Sequence, residues 1–131
     1  AESRARLAAL GPAELLRPLR VEFAGEPGVD SGALAKEWFL EITEAFFHGD
    51  KQLFCRNENG TYSIQPVPDG DEDQQMERLK SFRFFGRVLA KALLDGHTIG
   101  VDLDLLILKY LLAEETKLDD LGRADPGLAR G

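Results

Sequence analysis

Apolar residues recur at intervals of three and four in several stretches of the chain and alternate with charged residues in one short stretch, the periods of half-buried helices and of a strand. Leu7, Leu10, Leu15 and Leu16 form a weak helical stripe over 1–16. It is interrupted at Gly11-Pro12, where proline suits the first turn of a helix, so two short helices are expected. Pro18 ends this region, and Leu19-Arg20-Val21-Glu22-Phe23 reads as a strand with Leu19, Val21 and Phe23 on its apolar face. Gly25, Pro27, Gly28 and Gly32 then predict a tight loop, with Asp30 or Ser31 capping the helix that follows.

That helix carries Leu34, Trp38, Ile42, Ala45 and Phe46 on one side and is expected to close at His48-Gly49 with a left-handed glycine. Leu53–Glu58 and Thr61–Gln65 flank Asn59-Gly60, the dipeptide that suits both positive-φ positions of a type I′ hairpin turn. Pro66, Pro68 and the acids from Asp69 to Asp73 predict a linker, with Asp71 or Asp73 capping a long helix. Over 74–95 the stripe is Leu79, Phe82, Phe85, Leu89, Ala92 and Leu93, widened by Phe84 and Val88, and Gly96 is the stop. Asp102 is expected to cap a helix bearing Leu105 to Leu112. Thr116-Lys117-Leu118-Asp119 resembles a capping box for one short turn closed by Gly122, and Asp125-Pro126 predicts a further helix start. The fold class expected is α+β, mainly helical, with a small β-hairpin and short strands.

Gly86 stands inside a strongly helical run, where glycine costs about 1 kcal/mol against alanine. With Ala90 it predicts a small-residue groove into which another element can press closely, the Trp38 helix being the favoured candidate.

Length and charge narrow the function. A chain of 131 residues, 44% of them hydrophobic, suffices for one domain and not for two. Its 23 acids against 16 Lys plus Arg give a net charge of -7, which disfavours nucleic acid and anionic membrane surfaces as partners. The most apolar run, Leu105 to Leu108, lies far below the ~20 residues of a membrane span, and no secretory signal core follows the N-terminus. One cysteine, Cys55, excludes an internal disulfide framework and fits a reducing compartment.

Candidate chemistry is sparse. Cys55 has only Arg56 beside it to lower a thiol pKa, and a small buried apolar role is expected. His48 and His97 stand at helix ends without metal-ligand spacing, and Asp69, Asp71 and Asp73 lack the later residues of a calcium loop. The Gly25–Gly28 turn lacks the Lys-Ser/Thr pair of a phosphate loop. No metal or cofactor is implied.

Several of these segments together resemble a known family. Val21 to Phe39, with Gly25, Glu26, Gly28, Asp30 and Gly32 followed by Trp38-Phe39, resembles the opening motif of HECT domains, the catalytic domains of HECT-type ubiquitin ligases. Leu53-Phe54, Tyr62 and Ile64-Gln65-Pro66 resemble the family's hairpin, Phe82 to Leu93 its F-x-F-x-G-R helix around Gly86, and Leu118 to Pro126 its D-L…D-P close. Ala33 replaces a glycine, Lys36 an arginine, and Ala113 a glycine after Leu111-Leu112.

The resemblance implies that 1–18 is a helical lead-in and 19–131 the first part of a HECT N-lobe. The conjugating-enzyme platform and the nucleophilic cysteine would then lie elsewhere, since Cys55-Arg56-Asn57 does not match the family's L-P-x-x-x-T-C context. It implies ubiquitin, a ubiquitin-conjugating enzyme and protein substrates as partners, in the cytoplasm or nucleus. Weak ubiquitin contact around the hairpin falls here on Arg56 and Tyr62, with structural duty the stronger expectation for Tyr62. The alternative is a non-catalytic HECT-like module that binds ubiquitin or a partner through the hairpin. Without the rest of the lobe, Leu105 to Leu112 should expose apolar surface and favour self-association.

Overall fold

Gly11 and Pro12 split the N-terminal stretch into α1 (Glu2–Ala9) and α2 (Pro12–Leu15), and the Glu14 carboxylate accepts from the Gly11 N–H at 2.8 Å. The computed structural model describes residues 2–17, 31–67, 70–124 and 127. The strand expected at 19–23, the loop residues Gly25, Glu26, Gly28 and Asp30, and the Asp125-Pro126 helix start lie outside the described residues.

Helix α3 (Ser31–His48) buries Ala35, Trp38, Phe39, Thr43, Phe46 and Phe47, whereas Leu34 and Ile42 are half-buried and Ala45 is exposed. The buried row thus lies about one residue round the helix from the stripe read in sequence, because Ala35, Phe39 and Phe47 supply a second apolar row. Gly49 does not take the left-handed conformation expected of it. A Cβ there would sit 2.2 Å from the Ala45 carbonyl oxygen, so close approach is what requires glycine, and the positive φ falls on Gln52 instead (45°).

Strands β1 (Phe54–Arg56) and β2 (Tyr62–Ile64) pair antiparallel, with Phe54 opposite Ile64, Cys55 opposite Ser63 and Arg56 opposite Tyr62. The turn differs from type I′. Only Gly60 has positive φ (85°); its N–H donates to the Asn57 carbonyl at 3.0 Å, and the Asn57 N–H donates to the Thr61 carbonyl at 2.8 Å. That is a three-residue loop with glycine in the left-handed position. Asn59 keeps negative φ because its side chain is engaged: Oδ1 accepts from the Thr61 N–H and hydroxyl, and Nδ2 donates to the Arg123 and Ala124 carbonyls.

Helix α4 (Glu72–Asp95) is the centre of the fold. Asp71 caps it by accepting from the Gln74 N–H at 2.8 Å, and Gly96 ends it with φ 72°. Its buried side is Ser81, Phe84, Phe85, Val88, Lys91 and Ala92, flanked by half-buried Phe82 and Leu89. Phe46 packs on Phe84 and Phe85 at centroid distances of 5.7 and 5.0 Å, so α3 covers this side. Leu79 and Leu93, assigned to the stripe from sequence, are 63% and 79% exposed. The expected occupant of the small-residue groove is corrected as well: Gly86 and Ala90 face away from α3, the Trp38 helix, and a Cβ on Gly86 would meet nothing within 4 Å among the described residues.

On the border of the buried side, Lys91 is 1% exposed, and its ammonium donates to the Leu15 and Arg17 carbonyls and to Asp95 at 2.8 Å. Arg87 donates to the Leu10 carbonyl, and Leu7 enters the core. The lead-in is therefore held on α4 by two cations that satisfy the carbonyls at the ends of α1 and α2.

Helix α5 (Leu105–Leu111) is capped by Asp104, not by Asp102. Residues 102–104 run parallel beside β2, the Tyr62 N–H donating to the Asp102 carbonyl (2.8 Å) and the Asp104 N–H to the Tyr62 carbonyl (2.9 Å), so Asp102 is committed to that bridge. No α5 residue is buried; Leu108, Tyr110, Leu111 and Leu112 are exposed. Its end is a Schellman motif, with Glu114 N–H on the Lys109 carbonyl and Ala113 N–H on the Tyr110 carbonyl. This puts Ala113 at φ 54°, a conformation that penalises a side chain. Ala113→Gly should raise stability by about 0.5–1 kcal/mol, read from a denaturant midpoint, after discounting the greater unfolded-state freedom of glycine. A lowered midpoint would contradict this.

Helix α6 (Leu118–Ala124) starts where expected, but Asp120, not Asp119, reaches back to the Lys117 N–H at 2.8 Å, and the helix runs through Gly122.

Candidate interaction surface

Alternation along β1 and β2 sets Phe54 and Arg56 on one face with Tyr62 and Ile64, and Cys55 and Ser63 on the other. The first face packs on α3 and α4. Phe54 stacks on Phe47 at 4.3 Å and meets Phe85 edge-on at 5.0 Å. Tyr62 is 8% exposed, set edge-on to Phe47 at 4.9 Å, with its hydroxyl 3.4 Å from His48 Nε2. Its aromatic body is thus spent on the core, and both its backbone groups hold the 102–104 bridge. Arg56 is exposed at the end of β1, its guanidinium beside Gly60, and with Glu58, Asn59 and Ile64 it is among the hairpin side chains presented to solvent.

The second face carries a polar network. Ser63 donates to Asp104 Oδ2 at 2.5 Å, while Asp104 Oδ1 accepts from the Ile107 N–H at 2.8 Å. Asn57 is buried and donates to Ser63, Thr61 and the Ala124 carbonyl. One carboxylate and two amides thereby tie the hairpin to the start of α5 and the end of α6. The exposed tip inherits the rigidity of both helices.

Asp120 joins α5 to α6 through Lys109 Nζ at 2.8 Å. The Lys109 hydrogen bond, followed by the Lys117 N–H, holds its carboxyl below the ordinary aspartate value. The folded state therefore favours the carboxylate, and its contribution, full at neutral pH, fades as pH falls below about 4 and through the lowered pKa. Amide protection of α6 should drop over that range, and Asp120→Asn should remove the pH dependence along with the staple. An acid limb unchanged in the variant would contradict this.

Cys55 is half-buried in the middle of β1. His48 is spent on Tyr62, and His97 lies against the Phe39 ring at 4.9 Å. No group of three or more His, Cys, Asp or Glu side chains suited to a metal forms among the described residues, and none of their helices is long and apolar enough to cross a membrane. Of the motif residues, Trp38 is a core residue set edge-on to Phe39 at 5.0 Å, Gly32 lies in the first turn of α3, and Gly86 faces solvent. Sequence reasoning missed Lys91 and the Asn57–Ser63–Asp104 network. A lysine at a position continuing the buried stripe was the one available signal for the first.

The hairpin, its packing on α3 and α4, and the α5–α6 pair fall within residues 40–131, and this segment matches the model of the HECT-domain (ubiquitin-transferase) family. The chain belongs to the HECT-domain family. It is 34% identical over 115 residues to the E3 ubiquitin-protein ligases UPL2 and UPL1 of Arabidopsis thaliana, covering 88% of this chain and 3% of each relative. It is 30% identical over 117 residues to the E3 ubiquitin-protein ligase Smurf1 of Drosophila melanogaster, covering 89% of this chain and 11% of that protein. The chain thus spans only a small fraction of the length of these relatives. Among its described residues the HECT fragment is mainly helical with a two-stranded antiparallel sheet, in agreement with the fold class read from sequence.

Proposed function

We propose that this chain is the front of the N-lobe of a HECT-type ubiquitin-protein ligase and serves as its scaffold. Residues 1–18 are the lead-in and 19–131 the first part of the lobe. In the complete ligase, ubiquitin is accepted from a conjugating enzyme as a cysteine thioester and passed to a substrate lysine. The observation that carries the reading is the family match over 40–131. It is supported by the placement of Cys55 in a paired strand opposite Ser63, while His48 and His97 contact Tyr62 and Phe39. Thiolate chemistry needs a lowered pKa and an approach for the acyl donor, and β1 supplies neither a helix N-terminus nor a histidine.

Within that scaffold the hairpin is a ubiquitin contact. Arg56 supplies the solvent-facing cation, and Tyr62 acts indirectly by fixing the strand. A cytoplasmic or nuclear location follows from the partners.

The test is to incubate the full-length polypeptide with activating enzyme, conjugating enzymes, ubiquitin and ATP. A reductant-sensitive ubiquitin adduct, mapped by mass spectrometry to a cysteine outside residues 1–131, is the expected result. A folded full-length protein that forms no such adduct with any conjugating enzyme would overturn the ligase reading and leave the binding module.

A further inference from the structure

The hairpin tip carries an asparagine-glycine pair, Asn59-Gly60, and its surroundings fall into two sets with opposite chemical effect. The first set is local. Asn59 Oδ1 accepts from the Thr61 N–H at 3.1 Å and from the Thr61 hydroxyl at 2.7 Å. Two donors on one amide oxygen withdraw electrons from Cγ and stabilise the negative charge that develops on that oxygen when Cγ is attacked. Asn59 is exposed, so water reaches it, and Gly60 has no side chain to shield its own nitrogen.

The second set is remote. Asn59 Nδ2 donates to the Arg123 and Ala124 carbonyls, both at 3.4 Å, which holds the carboxamide against the end of α6. The Gly60 N–H donates to the Asn57 carbonyl at 3.0 Å, and buried Asn57 is itself tied to the Ala124 carbonyl through Nδ2 at 3.2 Å. The nitrogen that would attack Cγ and the nitrogen that would leave it are therefore both engaged while α6 is docked. The Asp120–Lys109 pair in turn fixes α6 on α5.

We propose that Asn59-Gly60 is a site of spontaneous deamidation that docking of α6 restrains, and that the product keeps α6 from docking fully again. The Gly60 nitrogen loses its proton to solvent and attacks Asn59 Cγ. An N–Cγ bond forms, the Cγ–Nδ2 bond breaks, and Nδ2 leaves as ammonia with a proton from water. Water then opens the five-membered imide at either carbonyl, giving aspartate or its isomer with the chain running through Cγ. One water is consumed and one ammonia released, with no oxidant, cofactor or second protein. A carboxylate at this position has no donor for the Arg123 and Ala124 carbonyls and sets negative charge against their oxygens, so the change works in one direction. Neither ligase activity nor ubiquitin is needed for it.

The test incubates the full-length protein at mildly alkaline pH and follows residue 59 by peptide mapping with mass spectrometry. Asn57, which is buried and followed by Glu58, is the internal reference. The folded parent should deamidate at Asn59 about tenfold more slowly than the same protein in denaturant, and Lys109→Met or Asp120→Asn, which release α6, should recover most of that difference. Separately, Asn59→Asp should speed amide exchange over 121–124 about tenfold while the β1 and β2 amides stay protected. A parent as fast as the denatured chain would overturn the proposal, as would α6-releasing variants no faster than the parent. An Asn59→Asp protein whose α6 exchanges at the parental rate would also overturn it, and this arm decides if both α6 variants lose their circular dichroism.

Discussion

Lys91→Met should cost about 3–5 kcal/mol, because it leaves Asp95 and two helix-end carbonyls without their shared ammonium in a site where the lysine is 1% exposed. Methionine keeps the apolar stem, so the loss is electrostatic and not a cavity. The damage should also have a shape. The α1–α2 lead-in is joined to α4 by Leu7, by Arg87 on the Leu10 carbonyl and by Lys91, whereas α3 and the hairpin hold α4 through aromatic packing. Amide exchange over 5–17 should therefore approach the unprotected rate while Phe84 to Ala92 stay protected. Uniform loss of protection, or an unchanged unfolding midpoint, would show that the lead-in is not held this way.

Phe39→Ala should destabilise the chain by a comparable ~3–5 kcal/mol. Phe39 is 0% exposed, set edge-on to Trp38 at 5.0 Å and beside the His97 ring at 4.9 Å, so it links α3 to the turn after α4. A ring-sized void at that junction cannot collapse without moving a helix. Trp38→Ala removes a larger ring at a site that retains some solvent contact, and gives the useful comparison. A denaturant midpoint for Phe39→Ala within error of the parent would place the core elsewhere.

Helix existence was legible wherever apolar periodicity, a cap and a glycine stop coincided: Asp71, one of the two caps offered, and Gly96 bound α4 as sequence placed them, although Leu79 and Leu93 of its stripe are exposed. Details that depend on distant partners were not legible. Asp102 and Asp104 are equally good caps in isolation, and the choice is made by strand pairing of 102–104 with Tyr62. The hairpin turn follows the engagement of Asn59 with the end of α6, a contact across more than sixty residues. The face of Gly86 was misread because helical period fixes which residues share a side, not what lies against it. At the hairpin, sequence marked Arg56 and Tyr62 together, and the fold sets them opposite each other across the strands, Arg56 exposed and Tyr62 buried in the core.

On the proposed function, residues 1–131 position a thiol they do not contain. The most direct check is the rate of ubiquitin charging in the full-length protein carrying Cys55→Ser, with activating enzyme, a competent conjugating enzyme and ATP. Charging at the parental rate is the expected result, since Cys55 only fills the middle of β1. Loss of the reductant-sensitive adduct, in a variant whose circular dichroism matches the parent, would mean that this strand holds the acceptor and that the scaffold reading is wrong.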